Sequence, residues 1–477
     1  MIFTATTDNL SEREAWHNSY YNTLIDDIQS KQVVAGDFDY PFDFSGNVGF
    51  AGSAVYEVGY FGSSTTSSSE AIRIANGLGF TTSNTGAQNT TALQAIIDAM
   101  PSTGGVILIG PGTYSIGSTV ELNGTSDDKN GVVLRGAGRG ATILSAVSGF
   151  TSTTPVLKVT NTPGSSTSTN MGIEDLKVDC AGNAYQGIDM SAVTDGWVKM
   201  VEVDDALNAA GWGIRMSKCT RCVLEGVRIT ASDGDGLVVD ATSGNNEANS
   251  LIDVHCYSNA GDGMAIFDNA AFTKLIACDF DTNSQAGLYL QSTSASGTAF
   301  DGVQVVATTA RDNTSHGFYF DLDHATNDIR ASHLIGCIAD DNGGEGFLVE
   351  AASGGYAFEW SVAGCSSIDN EEAGFRLGAL MSSAVVGNTA GLNTPGTGST
   401  HSHYEFVGGD ADVVVGNTAR GAGAENGFHF DGNTTTLLLD GNSSSIVAGS
   451  LINDDGSGNY TTQEDGATAN SVTNQES

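Results

Sequence analysis

Glycine followed by alternating apolar residues recurs along most of this chain: Gly187-Ile-Asp-Met, Gly213-Ile-Arg-Met, Gly236-Leu-Val-Val, Gly263-Met-Ala-Ile and Gly287-Leu-Tyr-Leu. It continues with Gly317-Phe-Tyr-Phe, Gly346-Phe-Leu-Val, Gly374-Phe-Arg-Leu and, after one irregular turn around Glu405-Phe-Val, Gly427-Phe-His-Phe. The first eight are separated by 26, 23, 27, 24, 30, 29 and 28 residues, which is the length of one solenoid coil. Asn stands four residues before the glycine at Asn183, Asn259, Asn283, Asn313, Asn342 and Asn370. Asn tolerates left-handed backbone and can hydrogen-bond to its copy one coil away, so a turn is expected there. A second short strand lies upstream in each coil, at Cys222-Val-Leu-Glu, Leu251-Ile-Asp-Val, Lys274-Leu-Ile-Ala, Val303-Gln-Val-Val, Leu334-Ile-Gly-Cys and Val385-Val-Gly-Asn. Short strands joined by Gly/Asn turns, with no amphipathic helices between them, predict an all-β right-handed parallel β-helix of about ten coils.

The ends differ from this pattern. Residues 1–71 carry one amphipathic stretch, Ser11 to Ile28, and a Gly/Ser-rich link at Gly62-Ser-Ser-Thr-Thr-Ser-Ser-Ser, and read as an N-terminal attachment or assembly region. Residues 72–455 read as the β-helix and 456–477 as a polar tail. Thr90-Thr-Ala-Leu-Gln-Ala-Ile-Ile-Asp-Ala-Met has helical apolar spacing with Thr at its start, and is expected to cap the first coil.

Charge narrows the setting. Eighteen Lys and Arg stand against 56 Asp and Glu, a net charge of −38, while charged residues make up only 16% of the chain. The imbalance is a depletion of bases. Concentrated salt shortens the Debye length to roughly 3 Å and relieves such self-repulsion, so a saline environment is expected, with an ordinary acidic extracellular protein as the alternative. Nucleic acid is excluded as a partner because clustered bases are missing. No run of about 18 apolar residues predicts membrane insertion, and the first residues, MIFTATTDNLSEREAW, lack the pattern of an export signal. Release on a virus particle would carry the chain outside. The seven cysteines form an odd set; Cys278, Cys337 and Cys365 each lie nine residues before a repeat glycine and are expected to form an interior ladder. Cys219-x-x-Cys222 stands without a second pair or nearby His, so no metal site is expected there.

At Ala92-Leu-Gln-Ala-Ile-Ile-Asp-Ala, Gly104-Gly-Val-Ile-Leu-Ile-Gly-Pro-Gly-Thr-Tyr and Val133-Leu-Arg-Gly-Ala-Gly-Arg-Gly-Ala-Thr-Ile-Leu the sequence resembles the opening segment of the pectin-lyase-like β-helix superfamily, in its viral tailspike and pectate-lyase-type branch. That resemblance implies binding or cleavage of surface polysaccharide, homotrimers, and attachment to other virion proteins through the N-terminal region. The basic residues of calcium-dependent pectate lyases are not evident. Ser232-Asp-Gly-Asp235-Gly and Ser315-His316-Gly317 are faintly similar to the acidic and His-Gly elements of polygalacturonase-type hydrolases.

Aligned by the repeat glycine, Asp235, Asp262, Ala286, His316 and Glu345 fall in one column immediately before it. Adjacent coils lie about 4.8 Å apart, so Asp235 and Asp262 are expected as neighbouring carboxylates. They are candidates for an acid/base pair with one raised pKa, with His316 and Glu345 beside them; exposed turn aspartates of an acidic protein are the alternative. The loops after the glycine-led strands carry Asp240, Asn245, Asn246, Glu247, Asp268, Asp321, Asp323, His324, Glu350 and Tyr356, with Tyr289, Tyr319, Phe272 and Trp360 as aromatic platforms. Stacked, they form either a glycan-binding groove or solvated edge loops. No cofactor is expected; Asp321 and Asp323 are candidate oxygen ligands for a structural calcium ion. The combined expectation is a virion spike or fibre of a virus with a halophilic archaeal host, at the virion surface, binding host polysaccharide or glycoprotein. A polysaccharide hydrolase or lyase, secreted or virion-borne, is the alternative.

Overall fold

The computed structural model describes residues 71–463 apart from 126–128, 152, 161–167, 208–210, 241–245, 269, 293–299, 323–327, 352–355, 394–400, 422–425, 432–433, 441, 447–449 and 455–458. The expected amphipathic stretch at 11–28, the Gly/Ser-rich link, Asn245, Asp323 and His324 lie outside the described residues.

The described chain winds as a parallel β-helix with three strand positions per coil. The first face is built by the glycine-led strands, among them Leu237–Asp240, Met264–Phe267, Leu288–Gln291, Phe318–Leu322 and Phe347–Ala351. The second is built by the upstream strands seen in the sequence, such as Ser250–Ile252, Lys274–Ile276 and His333–Ile335. A third face stacks 13 strands, typified by His255–Tyr257 and Asp279–Asp281. Every strand pairs in parallel with its counterpart one coil away, as in Leu288↔Phe318↔Phe347. The third face includes two strands ahead of the glycine repeat, Gly112–Ile116 and Thr142–Ala146, so the stack begins before the sequence pattern becomes regular.

The glycine and the asparagine of the repeat turn out to be two halves of one packing device. Asn259, Asn283, Asn313, Asn342, Asn370 and Asn393 are all buried, and each of the first five donates from Nδ2 to the Oδ1 of the next at 2.7–3.0 Å. Each amide sits against the repeat glycine of the coil before it: a Cβ on Gly346 would lie 2.9 Å from Asn370 Nδ2 and 2.8 Å from Gly374 O. Only a residue without a Cβ fits there. The left-handed backbone expected at the asparagines belongs instead to the residue before each, such as Thr282 (φ 54°), Asp312 (φ 53°) and Asp341 (φ 53°), which frees the Asn side chain to point inward. Asn183 is not in the ladder; its Nδ2 donates to Ala146 O and Ala181 O. Where the ladder ends after Asn393, the glycine position is taken by His403, fully buried.

Below these turns the core is a set of stacked rings. Phe318, Phe347, Phe375, Tyr404 and Phe428 lie face to face with centroids 4.6–4.9 Å apart. Their spacing is that of the coils, so burial of each ring, at about 1.5–3 kcal/mol, is joined to the strand register. All seven cysteines are buried free thiols, and Cys365 in the expected column gives way to Asn388 and Asn417 in the coils that follow.

The capping helix runs Gly86–Asp98 and buries Leu93, Ile96 and Ile97. It starts earlier than the expected Thr90 because Thr85 and Gln88 form a capping box; Thr90 lies inside, with its hydroxyl donating to Gly86 O. At the other end, the strand Asn459–Gln463 pairs with Thr434–Asp440. No helix among the described residues is long and apolar enough to cross a membrane.

Candidate functional site

On the first face the glycine-led strands turn two columns of side chains outward. Register sets Ala265, Tyr289, Tyr319, Leu348, Arg376 and Glu405 in one, and Phe267, Gln291, Asp321 and Glu350 in the other. The column before the glycine runs alongside.

These columns converge at the middle of the face. Tyr289 and Tyr319 stand one coil apart with ring centroids 5.0 Å apart. Tyr289 Oη donates to Asp321 Oδ2 at 2.9 Å, Gln291 Nε2 donates to the same oxygen at 3.2 Å, and Tyr319 Oη donates to Glu350 Oε2 at 2.9 Å. Burial and these carboxylate partners push both phenols far above their ordinary value, so the tyrosines stay protonated donors. The His316 ring packs edge-on against Tyr319 at 5.0 Å.

Behind this pair lies a buried carboxylate. Glu345, 1% exposed at its side chain, meets His316 Nδ1 at 2.8 Å through one oxygen and Arg376 Nη1 at 3.2 Å through the other. Burial alone would raise the Glu345 carboxyl, but its contacts to His316 and to Glu372 outweigh that and hold it at about 2. Glu372 is shifted upward, first by burial and then by its bond to Glu345, so a proton shared between the two carboxyls resides on Glu372. Arg376 extends towards Glu405, 3.8 Å away, which His401 approaches at 3.4 Å.

The expected acid pair occupies the near end of the same column. Asp235 Oδ1 accepts the Asp262 N–H at 2.8 Å and Asp262 Oδ1 accepts the Ala286 N–H at 2.7 Å, so each aspartate also ties its turn to the next coil. Burial, then the charge of Asp235, pushes the Asp262 carboxyl up to about 8, and burial also raises Asp235. Asp262 is therefore protonated at neutral pH and able to donate.

The structure thus gathers Tyr289, Tyr319, Asp321, Glu350, His316 and Glu345, with Asp235 and Asp262 farther along. It does not gather the rest. Trp360 is a correction: it is 2% exposed and packs edge-on against Phe320 at 4.8 Å inside the core, so it offers no sugar platform. Tyr356 is 40% exposed but lies on the separate strand Tyr356–Phe358, its ring against Phe358. Phe272 is exposed with its ring over Gly302, at the edge leading to the second face. Asn246 is buried and accepts from Cys219 N, a structural role, and Asp240 is held by Arg215. Among the described residues no group of three or more His, Cys, Asp or Glu is arranged to hold a metal ion.

Sequence reading missed Arg376, Glu372, Glu405 and His401. Arg376 carried a signal that could have found it. It stands two residues after a repeat glycine, the position that points outward in every coil, in a chain with only 18 bases.

Comparison with known proteins agrees with this architecture. Residues 186–361 match the model of the right-handed β-helix region. Among solved structures, tailspike protein 3 of bacteriophage CBA120 aligns with a TM-score of 0.59 at 11% identity, over 84% of this chain and 62% of the tailspike. The A-module of mannuronan C-5 epimerase AlgE4 from Azotobacter vinelandii aligns with 0.57 at 16% identity, over 82% of this chain and 100% of the module. The Dettilon tailspike protein aligns with 0.53 at 13% identity, over 79% of this chain and 68% of that one. A search of the curated proteins finds no match in sequence. The chain carries a right-handed parallel β-helix, a fold it shares with these two tailspikes and with the epimerase module.

Proposed function

We propose that this protein is a virion-surface spike or fibre that binds glycan or glycoprotein of the host cell surface along the first face of its β-helix. The observation that carries this reading is the tyrosine pair Tyr289–Tyr319 flanked by Asp321, Glu350 and the His316–Glu345–Arg376 cluster. Aromatic faces take the apolar side of a sugar ring, and adjacent carboxylates accept its hydroxyls. Columns repeating every coil, about 4.8 Å apart, offer successive contacts to an extended chain. Residues 1–71 then serve as the attachment region, the molecule works as a homo-oligomer with three copies favoured, and the net charge of −38 suits a halophilic archaeal host. Titration of host surface polysaccharide into wild-type protein and into Tyr319→Ala tests it. Tenfold or greater loss of affinity in the variant is expected, and unchanged affinity would remove the first face from the proposal.

A second reading, a polysaccharide-cleaving enzyme, is favoured by one feature. Asp262 holds a proton to about pH 8 beside Asp235, as a general acid requires. Release of reducing ends from host polysaccharide, abolished in Asp262→Asn, would establish it; no release by wild-type protein would leave binding alone.

A further inference from the structure

The tyrosine pair on the first face has committed its protons. Tyr289 Oη donates to Asp321 Oδ2 and Tyr319 Oη to Glu350 Oε2, and both phenols stay protonated, so each hydroxyl meets a ligand only with its lone pairs. An ionised carboxylate likewise only accepts. Gln291 gives one amide hydrogen to Asp321 and keeps one. The pair is therefore a surface made mostly of acceptors, with Glu350 exposed at its edge.

Positive charge is scarce beside it. Lys274, Arg311, Arg330 and Arg376 are the Lys and Arg between Met264 and Glu405. Lys274 stands on the second face, Arg311 on the third against Asp281, and Arg330 over the Phe358 ring on the strand that leads to the second face. Arg376 is the one on the first face, and its guanidinium is set between Glu345 at 3.2 Å and Glu405 at 3.8 Å. His316 turns Nδ1 to the same Glu345. One arginine thus answers two carboxylates behind the pair, while Asp321 and Glu350 take their bonds from the tyrosines, which are neutral donors.

We infer that the ligand of this site is a sugar carrying a free amino group, and that the site turns away uronates and sulfated sugars. The inference rests on the glycan-binding reading and deepens it. An ammonium group brings donors and a positive charge to a surface that accepts and is negative, so its hydrogen bonds are charge-assisted. A carboxylate or sulfate sets acceptors against acceptors, and the net charge of −38 adds repulsion at longer range. The apolar face of either sugar lies on the rings, whose centroids are 5.0 Å apart. An amino sugar and its N-acetylated form therefore stack alike and differ in the charge they offer Glu350.

Isothermal titration of the full chain with tetramers of glucosamine, N-acetylglucosamine and galacturonate tests it. At about 1 M sodium chloride the Debye length is roughly 3 Å, which suppresses unspecific attraction of a cation to the acidic chain. The wild type should bind the glucosamine tetramer at least about tenfold tighter than the N-acetylated one, and the galacturonate tetramer least. Glu350→Gln keeps an acceptor for Tyr319 Oη; it should cost the glucosamine tetramer about tenfold and the N-acetylated one less than about twofold. Asp341→Asn, the same loss of one charge at the exposed corner after the third-face strand Ile338–Asp340, should change neither. Galacturonate bound as tightly as glucosamine, equal losses for both amino tetramers in Glu350→Gln, the same effect from Asp341→Asn, or binding of none of the three would overturn the inference. Host polysaccharide that still depends on Tyr319 while the tetramers show no preference would overturn it too, and would leave the glycan-binding reading standing.

Discussion

Replacing Asn313 by alanine removes the middle of the asparagine ladder. Its Nδ2 donates to Phe280 O at 3.0 Å and to Asn342 Oδ1 at 2.9 Å, while its Oδ1 accepts both the backbone N–H and the Nδ2 of Asn283, each at 3.0 Å. Alanine deletes all four contacts. Asn283 Nδ2 keeps a bond to Cys256 O, and Asn342 Oδ1 keeps the Asn313 N–H, so neither amide is fully stranded. The Asn283 N–H loses its acceptor, away from water, while Phe280 O stays paired in the ladder between Asp279–Asp281 and Thr309–Arg311. At about 1–3 kcal/mol for the one buried group left unpaired, the loss is about 1–3 kcal/mol. Coils depend on their neighbours, so the loss should appear first as local opening. Guanidinium unfolding gives its total size, and amide exchange around Asn283 and Asn342 gives its location. Asn183→Ala, outside the ladder, should cost about 1 kcal/mol or less. A loss below 1 kcal/mol at Asn313, or equal losses at both sites, would refute the claim that the ladder holds the coils in register.

Three other outcomes follow, two from buried titratable groups and one from the packing of a repeat glycine. Asp262 binds its proton up to about pH 8 in the folded chain but only below the ordinary carboxylate value when unfolded, so the folded state loses stability as pH rises from about 4 to 8. Asp262→Asn, which keeps an acceptor for the Ala286 N–H, should therefore melt higher than wild type at pH 8 and match it near pH 4. His403 moves the other way: burial holds it down to about 4, so its contribution is complete above about pH 6.5 and is lost as pH falls towards 4. His403→Phe should flatten that acid limb in melting curves by about 3 kcal/mol at pH 4, from 1.36 kcal/mol per unit. Gly346→Ala should destabilise strongly, because the new Cβ would lie 2.8 Å from Gly374 O and 2.2 Å from Ser367 Oγ; a melting temperature within a degree of wild type would contradict the close packing assigned to the repeat glycines.

Much of the architecture was legible because two of the three strand positions write alternation into the sequence. A glycine-led strand such as Phe318–Leu322 places Phe318, Phe320 and Leu322 inward and Tyr319 and Asp321 outward, a pattern visible without coordinates. The third face was not visible: strands such as Asp279–Asp281 or Ile338–Asp340 have three residues and a single inward side chain, Phe280 or Ala339, too short for a period of two to register. Asn393 escaped for a related reason, since residues 394–400 separate it from the next strand and break the four-residue spacing. For the site, column alignment found His316, Glu345, Tyr289 and Tyr319, because stacking turns equal offsets from the glycine into spatial neighbours. It failed at Trp360, whose position in a coil is set by the turn into the second face, where an aromatic can fold inward on Phe320. Glu372 has a fixed offset, two residues before Gly374, but the preceding coils hold Gly344, Ser315 and Gln285 there, so the column repeats no carboxylate; His401 follows the connection 394–400, which no fixed offset describes.

Glycan binding resolved by face is the decisive measurement. Affinity for host surface polysaccharide would be compared among wild-type protein, Tyr289→Ala with Tyr319→Ala on the first face, and Arg228→Ala with Tyr257→Ala on the third, where those residues line a shallow groove with His255, Asp279 and Asp281. Binding lost in the first-face variant and kept in the third-face variant is the predicted result. Binding that persists without the two tyrosines, or that disappears with the third-face residues, would contradict it.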